Sequence, residues 1–128
     1  MIDRDMMILW KEIRNLWTKF SQTRKMALDM AKVRIPKYKQ NGEISKNYNI
    51  MWKCACCGEL VGKDNRQVDH IVPINHIPRN EAELAEAVSK LFCPLDNLQV
   101  LCTAPCHRAK SAKEAEARKK KVSKKKRR

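Results

Sequence analysis

Two cysteine pairs constrain this chain more than any other feature. Cys54 and Cys57 are spaced C-x2-C and followed by Gly58, and Cys102 and Cys106 are spaced C-x3-C. A glycine after the first pair permits the tight turn that lets two thiolates face one tetrahedral ion, and four thiolates suit zinc. Such an ion would tie the segment around residue 54 to the segment around residue 106 and contribute folding energy directly. The alternative is that Cys102 or Cys106 packs as a small buried hydrophobe. Cys56 and Cys93 are left over, and the run Cys54-Ala55-Cys56-Cys57 leaves Cys56 able to replace its neighbour. A closed four-thiolate site has no open coordination position, so this metal is expected to be structural.

A metal staple suits the composition. The chain has 128 residues, 5% aromatic and 33% charged, which is one compact domain with extensions and a small core. No apolar run reaches the roughly 18 residues of a membrane span, and the start, MIDRDMMILW, lacks a secretory layout. The expected location is the cytoplasm, where clustered thiols stay reduced and bind metal rather than forming disulfides. The net charge of +14 is uneven, because from His107 onward 12 Lys/Arg face 2 Glu. That end can pair with phosphates and release counterions, which is sequence-independent nucleic-acid binding. A solubilising tail is the plainer reading. Membrane binding is not expected, since no apolar face accompanies KKKVSKKKRR.

Periodicity places helices at both ends. Leu9, Trp10, Ile13, Leu16, Trp17 and Phe20 recur at helical spacing. Ser21 or Thr23 caps a second helix, TRKMALDMAKVRI, which Pro36 ends. KYKQNGEISKNYN reads as a loop with an Asn41-Gly42 turn, followed by a short strand, IMWKC. RQVDHIV is β-prone up to Pro73. Asn80 with Glu83 forms a capping box for a helix over 81–92. LQVLC reads as a strand, and CHRAKSAKEAEARKK as a final helix merging into the basic tail.

The chemistry-bearing residues outside the cysteines are Asp69, His70, Asn97 and His107. A neutral imidazole can take a proton from water, and a carboxylate with an imidazole can hold a divalent metal against a phosphoryl oxygen. An Asp-His pair alone is more often structural. Here the cysteines bracket it, Asn97 precedes a strand and His107 abuts Cys106. His76 has no such companions and reads as a loop histidine.

The ordered set Cys54-x2-Cys57-Gly58, Val68-Asp69-His70-Ile71-Val72-Pro73, Asp96-Asn97-Leu98-Gln99-Val100-Leu101-Cys102 and Cys106-His107-Arg108-Ala109-Lys110-Ser111 resembles the HNH endonucleases of the ββα-metal class, especially the small zinc-containing phage type. The resemblance covers residues 50–112. It implies an α+β fold in three parts: an N-terminal helical extension over 1–47, an HNH ββα-metal nuclease domain with a zinc knuckle over 48–118, and a basic tail over 119–128. It implies a metal-dependent enzyme that cuts or nicks double-stranded DNA. His70 would be the general base. Asp69 and His107 would hold Mg²⁺ or another divalent ion. Asn97 would brace the loop and orient His70. Lys110 would contact a phosphate, as would Arg108 and the tail residues Lys119, Lys120 and Lys121. The second cysteine pair has three intervening residues where the family usually has two.

Two rival readings use the same residues. One is a non-catalytic zinc-knuckle module that binds nucleic acid through its tail. The other is a zinc-stabilised interaction protein, such as a phage accessory factor. Homing, packaging and host-DNA degradation all fit the resemblance, as do a homodimer and a phage packaging partner, and the sequence selects none of them.

Overall fold

The structure, a computed structural model, describes residues 3–74 and 77–126, with side chains placed for 4–74 and 77–120. His76 and the Lys121 side chain, both singled out above, lie outside the described set. The chain is mixed α+β. Helix α1 (Asp3–Phe20) leads through Ser21 into α2 (Gln22–Ala31), and the Ser21 hydroxyl accepts the Arg24 amide at 3.1 Å. The buried stripe of α1 is Met6, Trp10 and Trp17, spaced for one helical face, while Leu9, Leu16 and Phe20 stay exposed.

The second helix is shorter than the expected run to Pro36. It stops at Ala31, and Lys32–Tyr38 form strand β1. Alternating Val33 and Ile35 favour the extended state and pair antiparallel with β2 (Ile44–Lys53), Val33 opposite Met51 and Ile35 opposite Asn49. Pro36 is tolerated because β1 is the edge of a β1-β2-β3 sheet, where a missing ladder donor costs little. Residues expected as loop are therefore hairpin. Only the turn is as expected: Gly42 adopts φ 87°, and the Asn41 side chain accepts the Glu43 amide at 3.0 Å.

Beyond the knuckle, β3 (Leu60–Val61) pairs with Trp52 and Lys53. A second sheet joins β4 (Arg66–His70) to β5 (Leu98–Cys102), antiparallel, with Asp69 opposite Gln99 and His70 opposite Leu98. The connection carries α3 (Glu81–Leu91). Its cap is the expected one, with the Asn80 side chain accepting the Glu83 amide at 2.9 Å. An irregular turn over 103–107, extended at Ala104, absorbs the extra residue of the second cysteine pair before α4 (Arg108–Lys126).

Two apolar clusters hold these layers. One joins Trp10, Trp17 and Ala27 to Ala87, Leu91, Cys93 and Leu98. The other joins Trp52, Cys54 and Val61 to Val100, Leu101 and Cys102, and Val68 packs against both. The N-terminal helices are thus part of the core that supports the β4–β5 sheet. Replacing the buried Trp10 by Ala removes a large aromatic from that core and should cost about 3–5 kcal/mol. Urea unfolding with an unchanged m-value would measure it. A cost under about 0.5 kcal/mol, the level of an ordinary surface change, would instead mark α1 as a loose appendage.

Candidate functional site

The knuckle is built by backbone geometry. Gly58 sits at φ 76°, its amide bonds the Cys54 carbonyl at 3.0 Å, and the Cys54 amide bonds the Glu59 carbonyl at 2.9 Å. The Ala55 amide then reaches the Val100 carbonyl at 2.8 Å, stitching the knuckle to β5. As a result the sulfurs of Cys54, Cys57, Cys102 and Cys106 all lie within 4.8 Å of one another. Zinc–sulfur bonds of about 2.3 Å place tetrahedral sulfurs roughly 3.8 Å apart. The cluster therefore fits a metal such as zinc with a modest contraction. Cys93 is buried in the first apolar cluster, away from the thiols, and Cys56 is exposed.

The thiols are prepared unequally. Burial works to raise Cys54, but the amides of Cys57, Cys102 and Cys56 directed at its sulfur overcome it and hold it down to about 6. Cys106 is pushed far up, first by the Cys102 sulfur, then by burial and the other thiols. Four thiols this close cannot ionise together without a cation, and a bound divalent ion reverses that penalty. Metal analysis of the purified chain should give one zinc per chain. Cys102→Ser should lose it and unfold at a lower urea concentration. An intact fold with less than one zinc would exclude a structural metal.

The second cluster centres on Asp69, whose side chain is only 10% exposed. One carboxylate oxygen, Oδ2, accepts the Gln99 amide at 3.0 Å and the Lys110 ammonium at 3.1 Å. The other, Oδ1, lies 3.8 Å from His107 Nε2. His107 reaches it because adjacent residues near the start of a helix point about 100° apart, so Cys106 can face the thiols while His107 faces β4. Two ligands on an octahedral ion with bonds of about 2.1 Å stand about 3.0 Å apart when adjacent and about 4.2 Å when opposite. The Asp69–His107 spacing falls between these limits, so the pair is compatible with one small divalent ion.

His70 is positioned differently. Its Nε2 lies 2.9 Å from the Leu91 carbonyl, which can only accept, so Nε2 carries a proton and a neutral ring would have its lone pair on Nδ1. That carbonyl ends α3 and lacks an intrahelical partner. The Trp17 ring packs on the imidazole with centroids 4.8 Å apart. Asp69 and His70 leave β4 on opposite faces, as strand neighbours do, one toward α4 and the other toward α1 and α3. The strand ends at His70. There Asn97 clamps the next turn: its carbonyl accepts the Ile71 amide at 2.8 Å and its side-chain oxygen the Val72 amide at 2.9 Å.

Lys110, expected on a phosphate, points inward instead. Its ammonium bonds Asp69, the His70 carbonyl at 3.0 Å and the Glu114 carboxylate one turn along α4. Arg108, Lys119 and Lys120 are exposed. Trp17, Leu91, Gln99 and Glu114 were not anticipated. Gln99 and Glu114 had a signal, the first through its register opposite Asp69 and the second through its i,i+4 spacing from Lys110. No described helix is long and apolar enough to cross a membrane. No protein-family model, curated protein or solved structure matches the chain.

Burial opposes the charge on Lys110, yet the Glu114 and Asp69 carboxylates outweigh it and raise the group above its usual value. A raised folded value stabilises the fold fully below the unfolded pKa, and the gain is lost as pH rises through the folded one. Lys110→Met should therefore destabilise the chain by about 1–3 kcal/mol near neutral pH, the cost of leaving Asp69 under-paired. The gap from wild type should hold between pH 6 and 9, on a scale where free lysine titrates near 10.4, and shrink above that. Urea midpoints across pH would record it. A gap that widens above pH 10.4 would refute the pairing.

Proposed function

We propose that this chain is a metal-dependent endonuclease that hydrolyses phosphodiester bonds of double-stranded DNA, with a β4–β5–α4 core of the HNH ββα-metal type framed by a structural zinc. The observation that carries the reading is the convergence of Asp69 Oδ1 and His107 Nε2 at 3.8 Å, on a carboxylate whose other oxygen is already saturated. An oxygen left facing an imidazole at that spacing is a ligand pair for a hard cation. It lies one residue from a histidine with a free Nδ1 at the very end of its strand.

Each residue has a distinct task in this mechanism. Asp69 and His107 would hold the divalent ion, which when bound stabilises negative charge developing on phosphoryl oxygens. His70 Nδ1 accepts the proton of the attacking water, while Nε2–H stays on the Leu91 carbonyl and the Trp17 face fixes the ring plane. Asn97 acts as a positioning residue, holding the turn after His70 without touching substrate. Lys110 and Gln99 orient the Asp69 carboxylate, and Glu114 neutralises the lysine that would otherwise repel a second cation.

A second reading has one observation in its favour. His70 and Asp69 sit on opposite faces of β4, and a histidine stacked on Trp17 and bonded to a carbonyl is also what an ordinary core histidine looks like. On that reading the chain is a zinc-knuckle module that binds nucleic acid without cutting it. Conversion of supercoiled plasmid with Mg²⁺ separates the two. Wild type should nick, and His70→Ala and His107→Ala should each slow nicking at least about 100-fold while retaining DNA binding, the loss expected when a general base or its metal is removed. If wild type binds DNA and cuts under no divalent metal, the non-catalytic reading replaces this one.

A further inference from the structure

The β1–β2 hairpin stands apart from both clusters. Its base joins the core through Trp52 and the half-buried Val33 and Met51, while the hydrogen bonds of residues 34–50 stay within the hairpin. Directly opposed residues share a face. The register sets Arg34 opposite Ile50 and Pro36 opposite Tyr48 and, past an irregularity between Pro36 and Tyr38, Tyr38 opposite Ile44, while Lys46 in that irregular stretch and Lys39 beside the Gly42 turn are exposed. This face opens away from the buried Trp52 at its base: Ile50 is 39% exposed, Tyr48 43%, Ile44 66% and Tyr38 68%. An ordinary half-buried hairpin puts such side chains inward and its polar ones outward. Here the large side chains face solvent, interleaved with bases.

Charge decides what such a face can meet. Residues 32–53 carry six Lys or Arg and one Glu. The Arg34 guanidinium lies 4.8 Å over the Tyr48 ring, and Arg66, which opens β4, lies 4.0 Å over Trp52 at the hairpin base. A guanidinium held on an aromatic plane is pre-organised and gives up less freedom on meeting a phosphate. A two-stranded ribbon also fits the DNA major groove, about 12 Å wide, whereas duplex RNA presents a groove too narrow for it. Because the apolar side chains alternate with charges, the face lacks the separate apolar side that anchors a peptide in a bilayer.

We infer that the β1–β2 hairpin is a DNA-binding ribbon, gripping the duplex with Arg34, Lys39 and Lys46 on phosphates and Tyr38 and Tyr48 against the groove wall. The inference rests on the reading of the chain as acting on double-stranded DNA, and it supplies that reading with a clamp outside the Asp69–His107 pair. The basic end of the chain and the hairpin are then two separate holds on one polyanion.

The test is a salt series of duplex binding by the full zinc-loaded chain without added magnesium, followed by fluorescence anisotropy. Each phosphate contact contributes about 0.9 to the slope of log K against log salt. The triple variant Arg34→Ala/Lys39→Ala/Lys46→Ala should lose at least about tenfold in affinity and lower the slope by about 2–3. Tyr48→Ala should weaken binding with the slope nearly unchanged, since it removes no charge. An unchanged slope in the triple variant overturns the inference, even if affinity falls, because the residues then act through the fold. Tighter binding to vesicles of anionic lipid than to the duplex overturns it as well. A chain that grips DNA through the hairpin yet nicks no plasmid fails the nuclease reading alone. One that nicks with the triple variant's slope intact fails the ribbon alone.

Discussion

The four-thiol cluster is the constraint on which the remaining geometry depends. Cys54 follows the last residue of β2, Cys102 ends β5 and Cys106 sits in the turn before α4, so one ion held there would span both sheets and the final helix. Whole small domains are stable by roughly 5–15 kcal/mol, and structural zinc in isolated fingers contributes on the order of 10–16 kcal/mol. A tetrahedral metal here is thus comparable to everything else that holds the chain together. Each sheet is too small to persist alone: β4–β5 has two strands, and β3 adds only two residues to the other.

The same cluster aims His107. His107 follows Cys106 directly, so whatever fixes the sulfur fixes the rotation of the imidazole about the helix axis. On the other side, Asp69 is held by Gln99 from β5 and Lys110 from α4, both on elements that carry a cysteine of the four-thiol cluster or begin just beyond one. A carboxylate this buried is costly unless paired, and here Asp69 and Glu114 share one lysine, Lys110, with His107 3.8 Å from the other Asp69 oxygen. Those three groups alone leave the cluster with one unmatched negative charge beside His107.

How much of this could be read from the chain depended on how local the signal was. The cysteine spacings, the Asn80 cap and the LQVLC strand depend on neighbours in sequence, and each is where it was expected. The IMWKC end of β2 and the Asn41-Gly42 turn were legible, but β1 and the first half of β2 were not, because large apolar side chains and bases there break the usual alternation of a half-buried strand. Pro36 misled for a related reason: its ring stops a helix, but on an edge strand it simply faces away from the ladder. Lys110 pointed to a phosphate only because nothing in the sequence reveals that Asp69 lies one helix face away.

Trp17 and the Leu91 carbonyl were invisible for a deeper reason, and they bear on how His70 can work. Both belong to helices far from residue 70 in sequence, brought there by the apolar cluster that also buries Leu98, the residue opposite His70. The packing that stabilises α1 and α3 therefore also chooses the imidazole tautomer, since the unpaired carbonyl at the end of α3 accepts only from a protonated Nε2. A histidine so held, by a carbonyl on one nitrogen and an indole on its face, cannot easily rotate. Asp69 and His70 keep their opposed faces to the end of β4, and Asn97 turns the chain immediately after His70 by holding the Ile71 and Val72 amides.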